Sequence, residues 1–341
     1  MSAMRSGRLL SCAALICTGA CSGAWAAEPE DLLPPIAIID FHGVRGHTED
    51  EVRKVLPFKE GDRVKLKPGY DDGSAIARAL NVAQANLSFV CCTPEKQYMV
   101  FVGIAETAPP AWPAPPRGAA RLPMLIIQAD GEFKSLFFDR LESGGLAPSD
   151  HSQGHYLDPH PPLRALQEKF VSFARENRAL IQQVLTDSAD EKHRAIAAML
   201  AGYLPDKAIA AKLLAQASSD PDASVRNNAT RALAIIAEYA MAHPELGIHI
   251  DAGPFIGMLN SPTWTDLNKG IFVLSVLTVP RDPALLAQLR EKALPALLDI
   301  CRWESPGHAE PGCAVLRRVE GLPERSGSEG RAEVLARLKA N

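Results

Sequence analysis

At 341 residues, 47% hydrophobic and 22% charged, the chain is long enough for one large or two ordinary globular domains and too apolar to remain unfolded. A net charge of −4 leaves no basic footprint for nucleic acid or an anionic membrane, so neither is expected as a partner. Beyond the first residues no apolar run has the length of a membrane helix.

Arg5 and Arg8 precede an apolar run from Leu9 to about Ala20, and small residues lead to Ala24-Trp-Ala26. This is the pattern of a secretory signal peptide over residues 1–26, whose apolar run is too short to span a bilayer. The expected location is periplasmic or secreted. Thr18-Gly-Ala-Cys21 supplies an alternative, lipoprotein processing with an acyl anchor on Cys21. Thr18 stands where Leu is favoured, so simple cleavage after Ala26 is preferred.

Residues 30–107 read as a small α/β domain. Ile36 to Phe41 reads as a strand, and Thr48-Glu-Asp-Glu51 is a capping box that opens a short helix through Leu56. Asp72 to Asn86 forms a second helix with Ile76 and Leu80 inward. Leu87 to Cys92 and Tyr98 to Ile104 flank the turn Thr93-Pro-Glu-Lys96 as a β-hairpin. The order is β-α-α-β-β. With Ile36-Ala-Ile, Phe41-His-Gly43, Glu51-Val-Arg, Gly61-Asp62 and a hairpin ending near Glu106, the segment resembles a POTRA module. That resemblance implies an exposed sheet edge able to take a strand from a partner.

Five prolines between Pro109 and Pro116 mark residues 108–122 as a stiff polyproline linker. Residues 123–341 read as all-helical. Ile126, Phe133, Phe137 and Leu141 share one helix face, although Met124 to Ile127 alone also suits a strand. A polar loop runs from Glu142 to His160, and Pro161-Pro-Leu163 opens the longest helix, with Leu166, Phe170, Phe173, Leu180, Ile181 and Val184 buried.

The clearest helix follows Asp220-Pro-Asp222, where Val225, Ala229, Ala232, Leu233, Ile236 and Ala240 fall on one stripe. Thirty-two residues earlier a second copy begins at His193, with Arg194 over Arg226 and Ala197 over Ala229. Between them Asp206 to Ala217 is a further amphipathic helix. The unit is therefore a helix pair that must stack on its neighbours to bury its apolar face. Asp220-Pro-Asp-x-x-Val-Arg-x-x-Ala-x-x-Ala-Leu233 resembles a HEAT repeat. The resemblance implies a structural ladder of turn aspartates and helix arginines, here Asp220, Asp222, Arg226 and Arg194. Later helices are expected over Phe255–Leu259, Leu267–Leu277, Leu285–Ile300, Ala314–Val319 and Arg331–Leu338.

One cluster bears on chemistry. The loop residues His151, His155, Asp158 and His160 have the side chains of a Zn²⁺ site with one position left for water. The alternative is an ordinary polar loop in which His155 or Asp158 caps the long helix, and the placement of these residues around Gly154 and Pro159 weighs toward it. No Gly-x-Ser-x-Gly turn or Gly-rich phosphate loop occurs. Glu142, Asp266 and Lys269 could be paired charges, but each reads rather as a solvated or capping residue.

Four cysteines follow the signal segment. Cys301 and Cys313 are expected to bridge across a turn containing Pro306, Gly307, Pro311 and Gly312, the alternative being two buried thiols. Adjacent Cys91 and Cys92 point to opposite faces of a strand and are not expected to pair. The whole reads as a multi-domain α+β chain, a small β-α-α-β-β domain followed by a HEAT-like helical stack. Its expected role is an exported, non-enzymatic scaffold for protein or peptide partners, with a metal-dependent hydrolase built on the histidine loop as the alternative.

Overall fold

The computed structural model describes residues 33–65, 73–143 and 148–340. The expected signal segment, Cys21 and the side chain of Glu142 lie outside the described residues. In chain order the first elements are β1 (Ile36–His42), α1 (Glu49–Val55), α2 (Gly73–Leu80), β2 (Gln84–Cys91) and β3 (Tyr98–Ala105). The strands form one sheet in the order β1-β3-β2, with β1 parallel and β2 antiparallel to β3. Parallel pairing needs a crossover, which α1 and α2 supply. The α1 capping box forms, with the Thr48 hydroxyl accepting from the Glu51 amide and the Glu51 carboxylate accepting from the Thr48 amide.

Helix α2 ends sooner than the periodicity suggests. Asn81 adopts a left-handed φ of 55°, and the Val82 amide donates to Ala77 O at 3.0 Å, closing the helix end and freeing Gln84 onward to pair as a strand. Strand β3 is buried on both faces. Val100, Val102 and Ile104 enter a small core with Ile36, Ile39, Val52, Phe58 and Ile76, whereas Met99 and Phe101 join the larger helical core.

The helical part comprises α3 (Met124–Glu142), α4 (Pro161–Glu176), α5 (Arg178–Asp187), α6 (Glu191–Ala201), α7 (Lys207–Ala217), α8 (Ala223–Ala242), α9 (Gly253–Met258), α10 (Trp264–Leu277), α11 (Pro283–Arg302), α12 (Pro306–Val319) and α13 (Gly327–Ala340). The expected single helix after Pro161 divides at Asn177. There both the Asn177 amide and its Nδ2 donate to Phe173 O, and φ moves to −113°. A side chain competing for a helix carbonyl is a known cause of such breaks. Helices α5, α6, α8, α10 and α12 lie side by side in that order, with α7 against α8 and α11 against α12. On α8, Val225, Ala229, Leu233 and Ile236 are fully buried, and burying such a stripe is what stacks one repeat on the next.

Residues 108–122 do not hang free. The Gly118 amide donates to Asp187 O at 2.7 Å and Gly118 O accepts from the Ala189 amide at 2.9 Å, while Leu122 is buried and the Trp112 ring covers the Arg226 guanidinium at 4.0 Å. Prolines lack the N–H for structure of their own, so the glycine, Leu122 and Trp112 between and after them fasten the segment to the helices.

The sheet docks on the far end of the stack. Asp40 on β1 accepts from the Glu304 and Ser305 amides and so ties the strand to the turn that leads into α12. Trp303 Nε1 donates to Phe41 O at 3.0 Å, and Phe101 packs among Trp264, Trp303 and His308. Gly103 permits this approach, because a Cβ there would collide with the carbonyl of Pro262.

Cys301 and Cys313 are joined, with Cα atoms 4.7 Å apart. Because α12 already begins at Pro306, Pro311 and Gly312 lie inside it and not in the connecting turn; Pro306 is at home in a first helical turn. A Cβ on Gly312 would meet Ile300, so this glycine lets α11 and α12 close together beside the bridge. Cys91 and Cys92 are also joined, across a cis peptide bond, against the expectation that they stay apart.

Candidate functional site

Helices α6, α8 and α10 carry charges of two kinds. On the side that faces the turns, Arg194 of α6 grips Asp220 with two hydrogen bonds of 2.8 and 3.0 Å and donates to Ser188 O. Arg226 of α8 repeats the arrangement, with two bonds of 2.8 Å to Asp266 and further donations to the carbonyls of Asp220 and Pro221. All four side chains are buried. Asp222 is not the partner of Arg226 but the N-cap of α8, accepting from the Ser224 and Val225 amides. Asp266 is neither solvated nor a cap. It is the buried end of the ladder, held also by the Ser261 hydroxyl at 2.7 Å. In α12 the next buried arginine, Arg317, takes the backbone carbonyls of Pro323 and Gly330 in place of a turn aspartate.

On another side the same helices line a pocket of about 360 Å³, inside the size range of small-ligand sites. Met199 of α6, Asn228, Arg231, Ala232 and Ile235 of α8, and Lys269 and Phe272 of α10 form its floor. Phe133 and Phe137 of α3 and the loop residues Ser149, His151, His155 and Tyr156 close it from above, with Gly202 and Tyr203 between. Positions 228, 231, 232 and 235 recur at steps of one, three and four, so they make a second face on α8 beside the buried stripe.

The four residues read as a metal set do not converge. His151 Nδ1 lies 2.9 Å from Glu238 and its Nε2 lies 2.7 Å from the Ser149 hydroxyl. Asp158 accepts from Tyr156 OH and from the His160 amide, and receives no imidazole. His160 is the N-cap residue of α4, and neither it nor Asp158 caps that helix with its side chain. Among the described residues no group of three or more His, Cys, Asp or Glu is gathered as metal ligands would be. His151 and Asp158 are each committed to separate partners, so the loop is pinned at several points and not around one centre.

No Gly-x-Ser-x-Gly turn marks the loop, yet Ser149, His151 and Glu238 form a hydrogen-bonded chain in the order found in acyl-transfer relays. Glu238 stands 87 residues from His151, which no spacing in the sequence suggests.

Electrostatically the pocket is unbalanced. Among the described residues neither Arg231 nor Lys269 has an acidic partner. The charge felt by Lys269 is that of Arg231, and burial together with that repulsion brings Lys269 down to about 7. Burial likewise lowers Arg231, against the aromatic hydroxyls of Tyr156 and Tyr203. Arg231 is exposed and Lys269 half-buried by accessible surface, although protein crowds the charged end of each. Lys269 was expected to be a solvated or capping charge; it is a wall of the pocket instead.

His155 is buried and held near 4, first by burial and then by the charge of Lys207. Its Nδ1 lies 3.3 Å from the Lys207 ammonium, which can only donate, so Nε2 carries the proton. That Nε2 has no partner.

Compared with known protein families, residues 178–246 match the family of HEAT repeats, the segment from α5 to the turn after α8. HEAT repeats fit a protein-interaction scaffold. No curated protein matches the chain. Among the described residues no helix is long and apolar enough to cross a membrane.

Proposed function

We propose that the protein is an exported, non-enzymatic scaffold that binds polypeptide partners along the α6–α8–α10 face. The observation that carries this reading is the pocket itself, an open, aromatic-walled recess built from successive repeats and left without charge neutralisation. Repeat stacks use such inter-repeat surfaces for recognition, and the match at residues 178–246 covers the two helices α6 and α8 that carry most of its floor. Export rests on the signal-like segment 1–26; an N-terminus at Ala27, or an acylated Cys21, in protein recovered from outside the cytoplasm would establish it. The sheet edge of the β-α-α-β-β domain is a second candidate surface on its likeness to POTRA modules.

The binding face is tested by placing a photo-crosslinking side chain at Met199 or Phe272, in the pocket, and at exposed Lys212 on α7 as the control. Adducts with polypeptide are expected from the pocket positions alone. Equal yields from Lys212 would remove the assignment.

The Ser149–His151–Glu238 chain favours a second reading, an acyl-transfer site in which the hydroxyl attacks a carbonyl while His151 Nε2 takes its proton. A fluorophosphonate probe would then label the wild-type protein and not Ser149→Ala. No labelling of either protein leaves the three residues as anchors of the loop.

A further inference from the structure

The two cations of the pocket call for an anion. Arg231 and Lys269 stand close enough to repel each other, on helices that elsewhere place every buried guanidinium opposite a carboxylate or a carbonyl. Repulsion between like charges in a partly desolvated recess is unfavourable unless a ligand of opposite sign enters. A third donor belongs to the same wall: His155, buried, with a protonated Nε2 that nothing accepts. Around these donors stand Phe133, Phe137 and Phe272, an apolar surface beside a cationic one. The ligand must therefore carry an anion joined directly to an apolar body. The volume of about 360 Å³ holds a side chain or a chain end and excludes a helix or a folded domain.

We propose that this pocket takes the free C-terminal carboxylate of a polypeptide whose last side chain is aromatic or large and aliphatic, the carboxylate on Arg231 and Lys269 and the side chain among the three phenylalanines. The proposal rests on the polypeptide-binding reading above and names its chemistry. A chain end suits the site better than an internal acidic residue, since it brings carboxylate and apolar side chain on adjacent atoms and leaves no second strand to accommodate. An arginine guanidinium supplies the fork that matches a carboxylate, and the lysine a point charge beside it.

The test is titration of the full chain with a fluorescent tetrapeptide ending in Phe, prepared with a free and with an amidated C-terminus, and with 3-phenylpropionate as a free acid. The free peptide is expected to bind about tenfold to a hundredfold more tightly than the amide, the worth of charged hydrogen bonds, and to lose that margin in Arg231→Gln and Lys269→Gln. Both variants should unfold at or above the wild-type denaturant concentration, since neither cation is ion-paired among the described residues. Equal binding of the amide, or a margin untouched by both substitutions, would overturn the carboxylate assignment even if crosslinking still found polypeptide on the face. Binding of 3-phenylpropionate without either peptide would keep the carboxylate site and overturn the chain end as its occupant, while the crosslinking comparison decides the polypeptide reading separately.

Discussion

Helices α8 and α10 each present charge in two settings, and the contrast separates what holds the fold from what the fold holds ready. Arg226 and Asp266 face each other in a buried, doubly hydrogen-bonded pair. Arg231, five residues along α8 and so about 140° around it, and Lys269, one turn along α10, share a recess with each other and with no acid. The first pair neutralises charges that burial would otherwise penalise heavily. The second carries an electrostatic cost that no ion pair among the described residues offsets. A stable fold has no use for that cost, whereas a binding site does.

The contrast predicts a hierarchy of effects. Arg226→Ala removes one member of the buried pair, leaves Asp266 uncompensated and takes the stacking surface from Trp112. A loss of about 3–5 kcal/mol in chemical denaturation is expected, and a loss below about 1 kcal/mol would mean that the ladder is not what joins these repeats.

Acid probes the neutral buried groups. His42, His155 and His308 are each held near 4 by burial, so between that pH and the unfolded value of 6.5 the unfolded chain binds more protons than the folded one. Asp40, raised to about 6 by burial, works in the opposite sense between 3.8 and 6. Three groups outweigh one, so stability present at neutral pH is lost as the pH falls through 6.5 toward 4. Melting temperatures across that window should drop, and a flat profile would show that the three rings are hydrated in solution.

Replacing both members of the ladder step, as Arg226→Met with Asp266→Leu, should cost much less than Arg226→Ala alone, because no buried charge is left behind. Equal losses would indicate that packing with Trp112 and the carbonyl contacts to Asp220 and Pro221 matter more than the pairing. The smallest effect is expected at the pocket. Lys269→Met relieves repulsion with Arg231 and should leave stability within about 0.5 kcal/mol of wild type or raise it. A clear destabilisation would place Lys269 among the structural charges and erase the contrast.

What the sequence determined by itself is local: which stretches are helices, where they start, and which face of each is apolar. The capping box at Thr48–Glu51 and the stripe Val225–Ile236 both rest on interactions within a few residues, and these are written in periodicity and side-chain type. The ladder arginines were legible too, because two copies of one motif stand in register. Their partners were not: the Asp220 carboxylate, expected like Asp222 to serve Arg226, grips Arg194 instead. Asp220 lies 26 residues beyond Arg194, but the chain between α8 and α10 contains an additional turn and α9, so Asp266 lies 40 residues beyond Arg226 and carries no repeat signature. The pocket, the Ser149–His151–Glu238 chain and the seating of Phe101 among Trp264, Trp303 and His308 were decided by tertiary structure alone. Each depends on which faces meet across the stack. Hydrophobic periodicity specifies that a face must be covered and is silent on what covers it, since burial is favourable in proportion to area and without regard to partner.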